Sequence, residues 1–266
     1  MSNIPKIDYF VVGTAKCGTS SLYNYLKEHR DVFTSGTKEP GYFVDPTAEN
    51  LELYKSYYKD NKSELLAGDY SPQYLVGESS DIVASRIKIM YPKAKIIILT
   101  RNPIECALSN WRMKNTGEIK FSFKESIQPE TRKVIIRRCF FYKNLNVYRN
   151  HFLDEDILTF PVESFEHDFI NTSTKLLKFL DLNSDQSPES FPHGNRTIRR
   201  KNRPPKPDVD TETRSMFIEA ISEDSQLYLK EAGYPADYWD VSINSTAWLP
   251  SKVEINLKKK YSINLP

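Results

Sequence analysis

The fold of this chain is decided by the stretch Tyr9-Phe-Val-Val-Gly-Thr-Ala-Lys-Cys-Gly-Thr-Ser-Ser-Leu-Tyr-Asn-Tyr-Leu26. An apolar strand opens it, a loop of small residues follows, and a helix with Leu22, Tyr25 and Leu26 on one face ends it. A loop between a strand and a helix presents backbone N–H groups and the positive end of the helix to one point. The stretch therefore predicts a binding site for an anion such as a phosphate or a similar group.

The lysine of this loop is not where loops that bind nucleoside triphosphates have it. Those loops read G-x-x-x-x-G-K-[ST], with the lysine directly after the second glycine. Here Gly13 and Gly18 keep the glycine spacing and Ser20 is in place, but Thr19 follows the second glycine. The lysine is Lys16, inside the loop, from where it reaches a different oxygen. The pattern therefore disfavours an ordinary ATP or GTP site.

The overall charge argues against one broad class of protein. The 266 residues include 37 Lys and Arg against 35 Asp and Glu, a formal net charge of +2, which does not favour general nucleic-acid binding. The basic residues are unevenly distributed, because residues 196–206 hold six of them in eleven positions. No apolar run approaches the ~20 residues that span a bilayer, so no transmembrane segment is expected.

The cysteines indicate the cellular compartment, and the length of the chain indicates the number of domains. Cys17, Cys106 and Cys139 are widely spaced and odd in number, which is typical of a reducing compartment rather than of a disulfide framework. The first strand begins by about residue 8, which leaves no room for a signal peptide, and we expect a cytoplasmic protein. We also expect a single domain over residues 1–266, whose last thirty or so residues are irregular and packed on the body through Trp239 and Trp248.

Strands alternate with helices along the chain, which is typical of a parallel sheet with helices on both faces. The clearest strand is Lys95–Thr100, because its run of apolar residues suits the centre of such a sheet. Strands are predicted at residues 8–13, 65–68, 95–100 and 156–161. Helices are predicted at residues 19–29, 50–59, 79–91, 103–114, 131–150, 173–182 and 211–232.

Four segments together carry a resemblance to one family. They are Gly13-Thr-Ala-Lys16-Cys-Gly-Thr19-Ser20-Ser21, Lys38-Glu39-Pro-Gly-Tyr-Phe43, Gly68-Asp-Tyr-Ser-Pro-Gln-Tyr-Leu75 and Arg101-Asn-Pro-Ile-Glu-Cys-Ala-Leu-Ser109. The first and last resemble the 5′-phosphosulfate loop and the 3′-phosphate site of sulfotransferases that use 3′-phosphoadenosine 5′-phosphosulfate. The other two are similar to segments of the branch that includes heparan sulfate sulfotransferases and their bacterial relatives. The resemblance covers residues 9–233 and implies a P-loop NTPase-like, three-layer α/β fold with a central parallel sheet flanked by helices.

The resemblance implies a role for each residue of the loop. Lys16 would stabilise the negative charge that builds on the bridging oxygen as the S–O bond breaks, which lowers the barrier to transfer. The neighbouring residues would bind the 5′-phosphate of the co-substrate; they are Cys17, Gly18, Thr19, Ser20 and Ser21. A solvated loop lysine and simple N-capping of the helix are the structural alternatives for these side chains.

The resemblance also places the 3′-phosphate of the co-substrate. Arg101 directly follows a buried strand, where open α/β sheets bind ligands, and Ser109 lies two turns into the next helix. A structural salt bridge and a helix-face hydroxyl are the alternatives for these two residues. The basic loop would close over the same phosphate through Arg199, Arg200, Lys201 and Arg203. The family often has Lys-Gly-Arg there, whereas this chain has Lys201-Asn202-Arg203, and a solvated charge run or an RNA-binding strip are its alternatives.

Removal of the acceptor proton needs a base, and a carboxylate can serve if burial raises its pKa. The resemblance favours Glu39 over the four histidines, which lie in no recognisable site and are expected at the surface (His29, His151, His167 and His193). Asp69 is a second carboxylate, with a capping or turn role as its alternative. Lys38, Tyr42 and Phe43 are further candidates for acceptor binding; an exposed lysine and core aromatic residues are the alternatives. No residue pattern indicates a metal site.

The sequence therefore predicts an enzyme that moves a sulfuryl group from 3′-phosphoadenosine 5′-phosphosulfate to a hydroxyl or amine of an acceptor, leaving 3′-phosphoadenosine 5′-phosphate. A saccharide or a small molecule is the expected acceptor, and no nucleic-acid partner is expected. One alternative is a P-loop kinase, disfavoured because Thr19 replaces the lysine and Arg101 stands where a metal-binding aspartate would follow its strand. The other is a nucleic-acid-binding module, which would depend on the charge run 196–206.

Overall fold

The computed structural model describes residues 4–62, 64–75, 79–128, 135–184, 188–192 and 203–250. The chain divides into two compact units, and each unit is made of two separate segments. The first unit comprises Met1–Arg101 and Phe141–Arg196, and the second comprises Asn102–Phe140 and Thr197–Pro266. The single domain predicted over residues 1–266 stays a prediction, because two compact units can also be parts of one domain.

The first unit contains a five-stranded sheet. Its strands are β1 (Tyr9–Gly13), β2 (Val32–Thr34), β3 (Leu66–Tyr70), β4 (Lys95–Thr100) and β5 (Ile157–Pro161). They are all parallel and lie in the order β2-β3-β1-β4-β5. The central strands β1 and β4 are almost wholly buried, as their continuous apolar sequences predict. The predicted parallel sheet is confirmed; the edge strand β2 is an addition to the prediction.

Helices lie between these strands in the chain and also occur in the second unit. In chain order they are α1 (Thr19–Lys27), α2 (Ala48–Tyr57), α3 (Ser79–Met90), α4 (Pro103–Lys114), α5 (Phe123–Ile127), α6 (Phe141–Arg149), α7 (Ser164–His167), α8 (Phe169–Phe179) and α9 (Thr211–Glu231). The helices α4, α5 and α9 belong to the second unit, and the others to the first. No helix in the described part of the chain is long and apolar enough to span a membrane.

Alternate residues of the central strands pack on opposite faces of the sheet. Phe10 and Val12 of β1 and Ile96 and Ile98 of β4 belong to a core that also includes buried side chains of α2, α3 and α6. On the opposite face, Tyr23 of α1 packs edge-on against Tyr70 of β3, at 5.1 Å between ring centroids. The first unit is therefore layered helix, sheet and helix, which confirms the predicted fold class.

The second unit is held together by aromatic side chains. Trp239 stacks on Tyr228 of α9, with ring planes 6° apart, and Trp248 packs edge-on against Phe123 and Phe217. Both tryptophans are buried, and that they fix the C-terminal segment on the body stays a prediction. Apart from a 3₁₀ turn at Thr246–Trp248, the residues after α9 form no helix or strand up to that point.

Two predicted helices differ from those observed. The helix predicted over 131–150 is wrong as one element, because its described part is a 3₁₀ turn, Ile136–Cys139, followed by α6. Phe140, at φ −81° and ψ 76°, separates the two, and apolar spacing alone cannot show such a break. The helix predicted at 173–182 begins earlier, at Phe169, because the Asp168 side chain accepts a hydrogen bond from Asn171 N and caps the helix.

Candidate functional site

The loop between β1 and α1 is held in a tight turn by backbone hydrogen bonds. Thr14 N donates to Leu99 O of β4 at 2.8 Å, and Cys17 N donates back to Thr14 O at 3.0 Å. Lys16 and Gly18 both have left-handed backbone conformations, at φ 75° and 94°. Cys17, between them, is fully buried and its N–H is used within the turn, so its predicted contact with the co-substrate stays a prediction. The turn thus brings Lys16 between the end of β1 and the start of α1.

The two glycines of this loop are required by close packing. A Cβ atom on Gly18 would lie 2.4 Å from Val162 Cγ2, directly after β5, and a Cβ on Gly13 would lie 2.7 Å from Leu75 Cβ. Gly18 also needs the positive φ that glycine adopts at low cost. The loop therefore lies between the end of β5 and the segment 71–75, where there is no room for a side chain at either glycine position.

The N-terminus of α1 is suited to an anion. Its N-cap is Gly18, no side chain caps it, and its first turn carries no acidic residue. The hydroxyl of Thr14 is buried and makes no hydrogen bond within the described residues. Thr19 is buried, and Ser20 and Ser21 are partly exposed on the first turn. Since uncapped N–H groups and the positive helix end favour a phosphate or sulfate, the residues present fit the 5′-phosphosulfate group that the sequence predicts.

Arg101 brings a second cation to this loop. It directly follows β4, which pairs with β1, and its Nη1 donates to Lys16 O at 3.4 Å. The contact places the guanidinium against the turn that carries Lys16, at the carboxyl edge of the parallel sheet. That edge is where open α/β sheets bind ligands. The structure therefore assembles two of the predicted site residues, Lys16 and Arg101, in one place.

The other residues predicted to bind the 3′-phosphate lie in the second unit or outside the described residues. Ser109 is a partly exposed residue of α4, and its pairing with Arg101 at one phosphate stays a prediction. Arg199, Arg200 and Lys201 lie outside the described residues, and Arg203 is partly exposed. The chain next to Arg203 is fixed, because Arg112 Nε donates to Pro204 O at 2.8 Å.

The last cation of the basic loop is engaged within the protein. Lys206 is largely buried, pairs with Glu105 of α4 at 2.7 Å and donates to Ala247 O at 2.8 Å. Its ammonium group therefore stabilises the second unit and is not available to bind nucleic acid or a phosphate.

Glu39 lies in a loop with an unusual backbone. Its φ is 68°, and its carboxylate pairs with Lys38 Nζ at 2.6 Å. The Glu39 side chain is 47% exposed and that of Lys38 is 25% exposed. A carboxylate that acts as a base was expected to be buried, whereas the Glu39 carboxylate lies at the surface with a cation beside it. The role of Glu39 as the base stays a prediction, as does a contact of Lys38 with a ligand.

The loop that carries Glu39 is anchored on both sides. Before it, Tyr23 of α1 donates to Ser35 O at 2.9 Å. After it, Gly41 N donates to Ser71 Oγ at 3.0 Å, and Phe43 N donates to Tyr74 Oη at 3.4 Å. The segment 71–75, which receives these bonds, also packs against Gly13. The segment 71–75 therefore connects the loop of Glu39 with the loop of Lys16.

Asp69 of β3 is fully buried beneath this loop. Its carboxylate accepts hydrogen bonds from Tyr54 and Tyr74, each at 3.0 Å, and from Ser71 at 2.6 Å. Burial raises the pKa of Asp69 to about 6, and the three hydrogen bonds oppose that rise. Such a carboxylate has no access to an acceptor in this structure, and its predicted contact with substrate stays unsupported.

Tyr42 and Phe43 are also part of the core. Tyr42 stacks on Tyr54, with ring centroids 5.0 Å apart, and Phe43 packs edge-on against Tyr74. Both residues are buried. Their rings pack against neighbouring rings. This fits the alternative that they are core residues better than a role in binding the acceptor.

The histidines offer no better base. His29, expected at the surface, is buried: its Nδ1 accepts from Asp31 N and its Nε2 lies 2.9 Å from Asn183 O. That expectation was wrong because a histidine with both ring nitrogens hydrogen-bonded can be buried at low cost. His151 pairs with Asp81, His167 is exposed, and His193 lies outside the described residues. Among the residues that the structure describes, no cluster of His, Cys, Asp and Glu could hold a metal ion. That the protein uses no metal stays a prediction.

Comparison with known proteins identifies one family. The sequence profile described as the sulfotransferase domain matches residues 6–205, well over half of the chain. This match confirms the resemblance drawn from the four sequence segments. A crystal structure of a sulfotransferase from Alicyclobacillus acidocaldarius superposes with a TM-score of 0.69 at 21% identity, covering 92% of this chain and 99% of that one. At that identity the likeness concerns the fold.

Two curated relatives share part of their length with this chain. The membrane-associated sulfotransferase kil1 of Dictyostelium discoideum is 29% identical over 46% of this chain and 28% of its own length. The human heparan sulfate glucosamine 3-O-sulfotransferase 6 is 28% identical over 58% of this chain and 44% of its own length. The chain therefore spans less than half the length of both relatives.

Proposed function

The chain belongs to the sulfotransferase domain family, and we propose that it transfers a sulfuryl group from 3′-phosphoadenosine 5′-phosphosulfate to a hydroxyl or amine. The observation that carries this proposal is the uncapped N-terminus of α1, with Lys16 and Arg101 in contact beside it. A helix end without a cap and with two cations is suited to a group that carries several negative charges.

The residue types suit this chemistry. Sulfuryl transfer resembles phosphoryl transfer, in which positioning and charge stabilisation supply most of the rate. The first turn of α1 and the Thr14 hydroxyl would bind the 5′-phosphate, and Lys16 would stabilise the charge on the oxygen of the leaving group. The 3′-phosphate would be bound by Arg101 and Ser109 and by the cations Arg199, Arg200, Lys201 and Arg203. Glu39 would accept the proton of the acceptor.

A saccharide is the acceptor class that we favour. The named activity of the human relative is on heparan sulfate glucosamine, although this chain covers less than half of that protein. A small molecule is the second choice. The predicted cytoplasmic location belongs to this proposal as well, and one relative is described as membrane-associated.

A transfer assay tests the proposal. The protein is incubated with donor carrying labelled sulfur and with heparan-type saccharides, other saccharides, small alcohols or small amines. We expect label on at least one acceptor, with release of 3′-phosphoadenosine 5′-phosphate in equal amount. A parallel reaction with magnesium and ATP labelled in its last phosphate tests the kinase alternative. Label transferred from ATP, and none from the phosphosulfate, would contradict the proposal.

A further inference from the structure

We propose that Asp69 is a positioning residue, which holds Glu39 in place from inside the core through two hydrogen-bond relays. The inference rests on the proposed function, because the catalytic role of Glu39 belongs to that proposal. Asp69 itself touches neither co-substrate nor acceptor, since its side chain is fully buried. It acts through the loop above it.

Each relay runs from the Asp69 carboxylate through one hydroxyl to one backbone N–H. Ser71 Oγ donates to Asp69 Oδ1 at 2.6 Å and accepts from Gly41 N at 3.0 Å. Tyr74 Oη donates to Asp69 Oδ2 at 3.0 Å and accepts from Phe43 N at 3.4 Å. Gly41 and Phe43 are the second and fourth residues after Glu39, so both relays end in the loop that carries the predicted base.

A third contact of the carboxylate supports the same loop through packing. Tyr54 donates to Asp69 Oδ2 at 3.0 Å, and its ring stacks on Tyr42, which lies between the two relay ends. Every hydroxyl that the carboxylate orders thus bears on residues 41–43. Three hydrogen bonds to one buried carboxylate are not needed to fold a strand end, because a hydrophobic residue would fill the space without the cost of burying a charge.

Only an acceptor without protons can order both relays. Ser71 and Tyr74 each have one proton, and each must direct it toward Asp69 for its lone pairs to face the backbone N–H groups. An asparagine would present an NH₂ group to at least one of these hydroxyls, and that hydroxyl would then lose its fixed direction. The carboxylate therefore determines the direction of both relays, and bonds to a charged acceptor are stronger than neutral ones.

Glu39 depends on such support because of its own backbone. A residue other than glycine at φ 68° is strained, and it keeps this conformation only where the surroundings fix it. Gly41, at φ 71°, has a left-handed backbone that glycine adopts at low cost. Loss of the relays would allow the backbone on the C-terminal side of Glu39 to relax and would displace its carboxylate.

A double-mutant cycle tests this inference. The variants are Asp69→Asn, Glu39→Gln and the two combined, with kcat and KM measured for the best acceptor of the transfer assay. Glu39→Gln should lower kcat on the ~10²–10⁴-fold scale of a lost general base. Asp69→Asn should lower kcat by about 10- to 100-fold through displacement of that base, with KM for the donor unchanged. In the Glu39→Gln background, Asp69→Asn should cost less than about twofold, because there is no longer a base to position.

A second variant keeps the test valid if Asp69→Asn folds poorly, and a third serves as the control. Ser71→Ala removes one relay and leaves the carboxylate, and it should show the same dependence on Glu39. Tyr91→Phe is the matched control, because it removes a hydrogen bond to Pro5 O from the same aromatic core, keeps the ring that packs on Phe43 and leaves both relay hydroxyls in place. Its kcat should equal that of the unchanged protein.

The outcomes separate this inference from the proposed function. Equal losses for Asp69→Asn with and without Glu39 would overturn the positioning role, as would unchanged kcat in both Asp69→Asn and Ser71→Ala. Melting curves with 3′-phosphoadenosine 5′-phosphate are recorded for every variant. A ligand-induced rise in Tm that persists in Asp69→Asn shows that the donor site is intact, whereas no rise in the unchanged protein would count against the proposed function itself.

Discussion

Lys16 and Glu39 have left-handed backbones, at φ 75° and 68°, although neither is a glycine. Asp181, the third such residue in the described part of the chain, ends a helix where Leu182 N donates back to Leu177 O, which is a common use of this conformation. The other two lie in loops, where the conformation costs about 1–3 kcal/mol each. Arg101 contacts the turn of Lys16, and the Asp69 relays hold the loop of Glu39. Strain at the two predicted catalytic residues suggests that the position of each side chain has been fixed for function.

At the residue scale, the first prediction concerns Lys16. Lys16→Ala should lower kcat by at least about 10²-fold, because a charge opposite the developing negative charge is lost. The melting temperature should change little, since the side chain lies in a loop. Lys59→Ala removes a lysine that is exposed after α2 and serves as the control. Full turnover of Lys16→Ala in the transfer assay would remove this lysine from the mechanism.

A second prediction concerns stability against pH. The pKa of Asp69 rises from 3.8 to about 6 on folding, so the folded state binds its proton more tightly than the unfolded state. Its contribution to stability is therefore fully present below about pH 4 and is lost as the pH rises through 6. Relative to Asp69→Asn, the free energy of unfolding of the unchanged protein should fall by about 3 kcal/mol in total from well below pH 4 to well above pH 6, with about 2 kcal/mol of that fall between pH 4 and pH 6. Urea unfolding of both proteins across this range measures the difference, and a difference independent of pH would contradict the assignment.

The sequence indicates the charged residues of the candidate site more readily than the groups that hold them in place. The order of four segments indicated Lys16, Arg101 and Glu39. The role of Ser71 and Tyr74 was not foreseen, because which hydroxyls meet a buried carboxylate depends on the packing of separate segments. The expected burial of Glu39 was not found, since the fold puts a different carboxylate, Asp69, beneath its loop.

At the scale of elements, the parallel strands and the loop after β1 could be predicted because they depend on local patterns. A strand with a continuous apolar run and a loop with two spaced glycines need no knowledge of neighbours. The strand β2 has three residues, too few to show alternation. The break at Phe140 was missed because the apolar spacing on both sides of it continues as in one helix.

The fit between the loop after β1 and the end of β5 leads to a third prediction. Gly18→Ala should destabilise the protein and weaken co-substrate binding, because its Cβ would meet Val162 Cγ2 at 2.4 Å and φ 94° is unfavourable for alanine. Gly36→Ala is the control, since a Cβ there meets no atom within 4 Å. Adding Val162→Ala should restore part of the stability by removing the contact but not the backbone cost. Thermal unfolding measures both, and a Tm of Gly18→Ala equal to that of the control would show that the loop is not closely packed.

At the scale of the whole molecule, the chain leaves the first unit at Asn102 and returns to it at Phe141. Sequence patterns did not indicate this division, because helix and strand signals are the same in both units. Arg101 ends a segment of the first unit, whereas Ser109 and Arg203 belong to the second. The loop from Gly13 to Ser21 and Arg101, which contacts it, both lie in the first unit.

Calorimetric titration of the protein with 3′-phosphoadenosine 5′-phosphate tests the central claim most directly. The claim is that the loop from Gly13 to Ser21, with Arg101, binds this nucleotide. We expect saturable binding without magnesium, weakened at least about tenfold by Arg101→Ala because a charged contact to phosphate is lost. Titration with ATP and magnesium should give much weaker binding. Binding of ATP with magnesium, and none of the adenosine bisphosphate, would contradict the account.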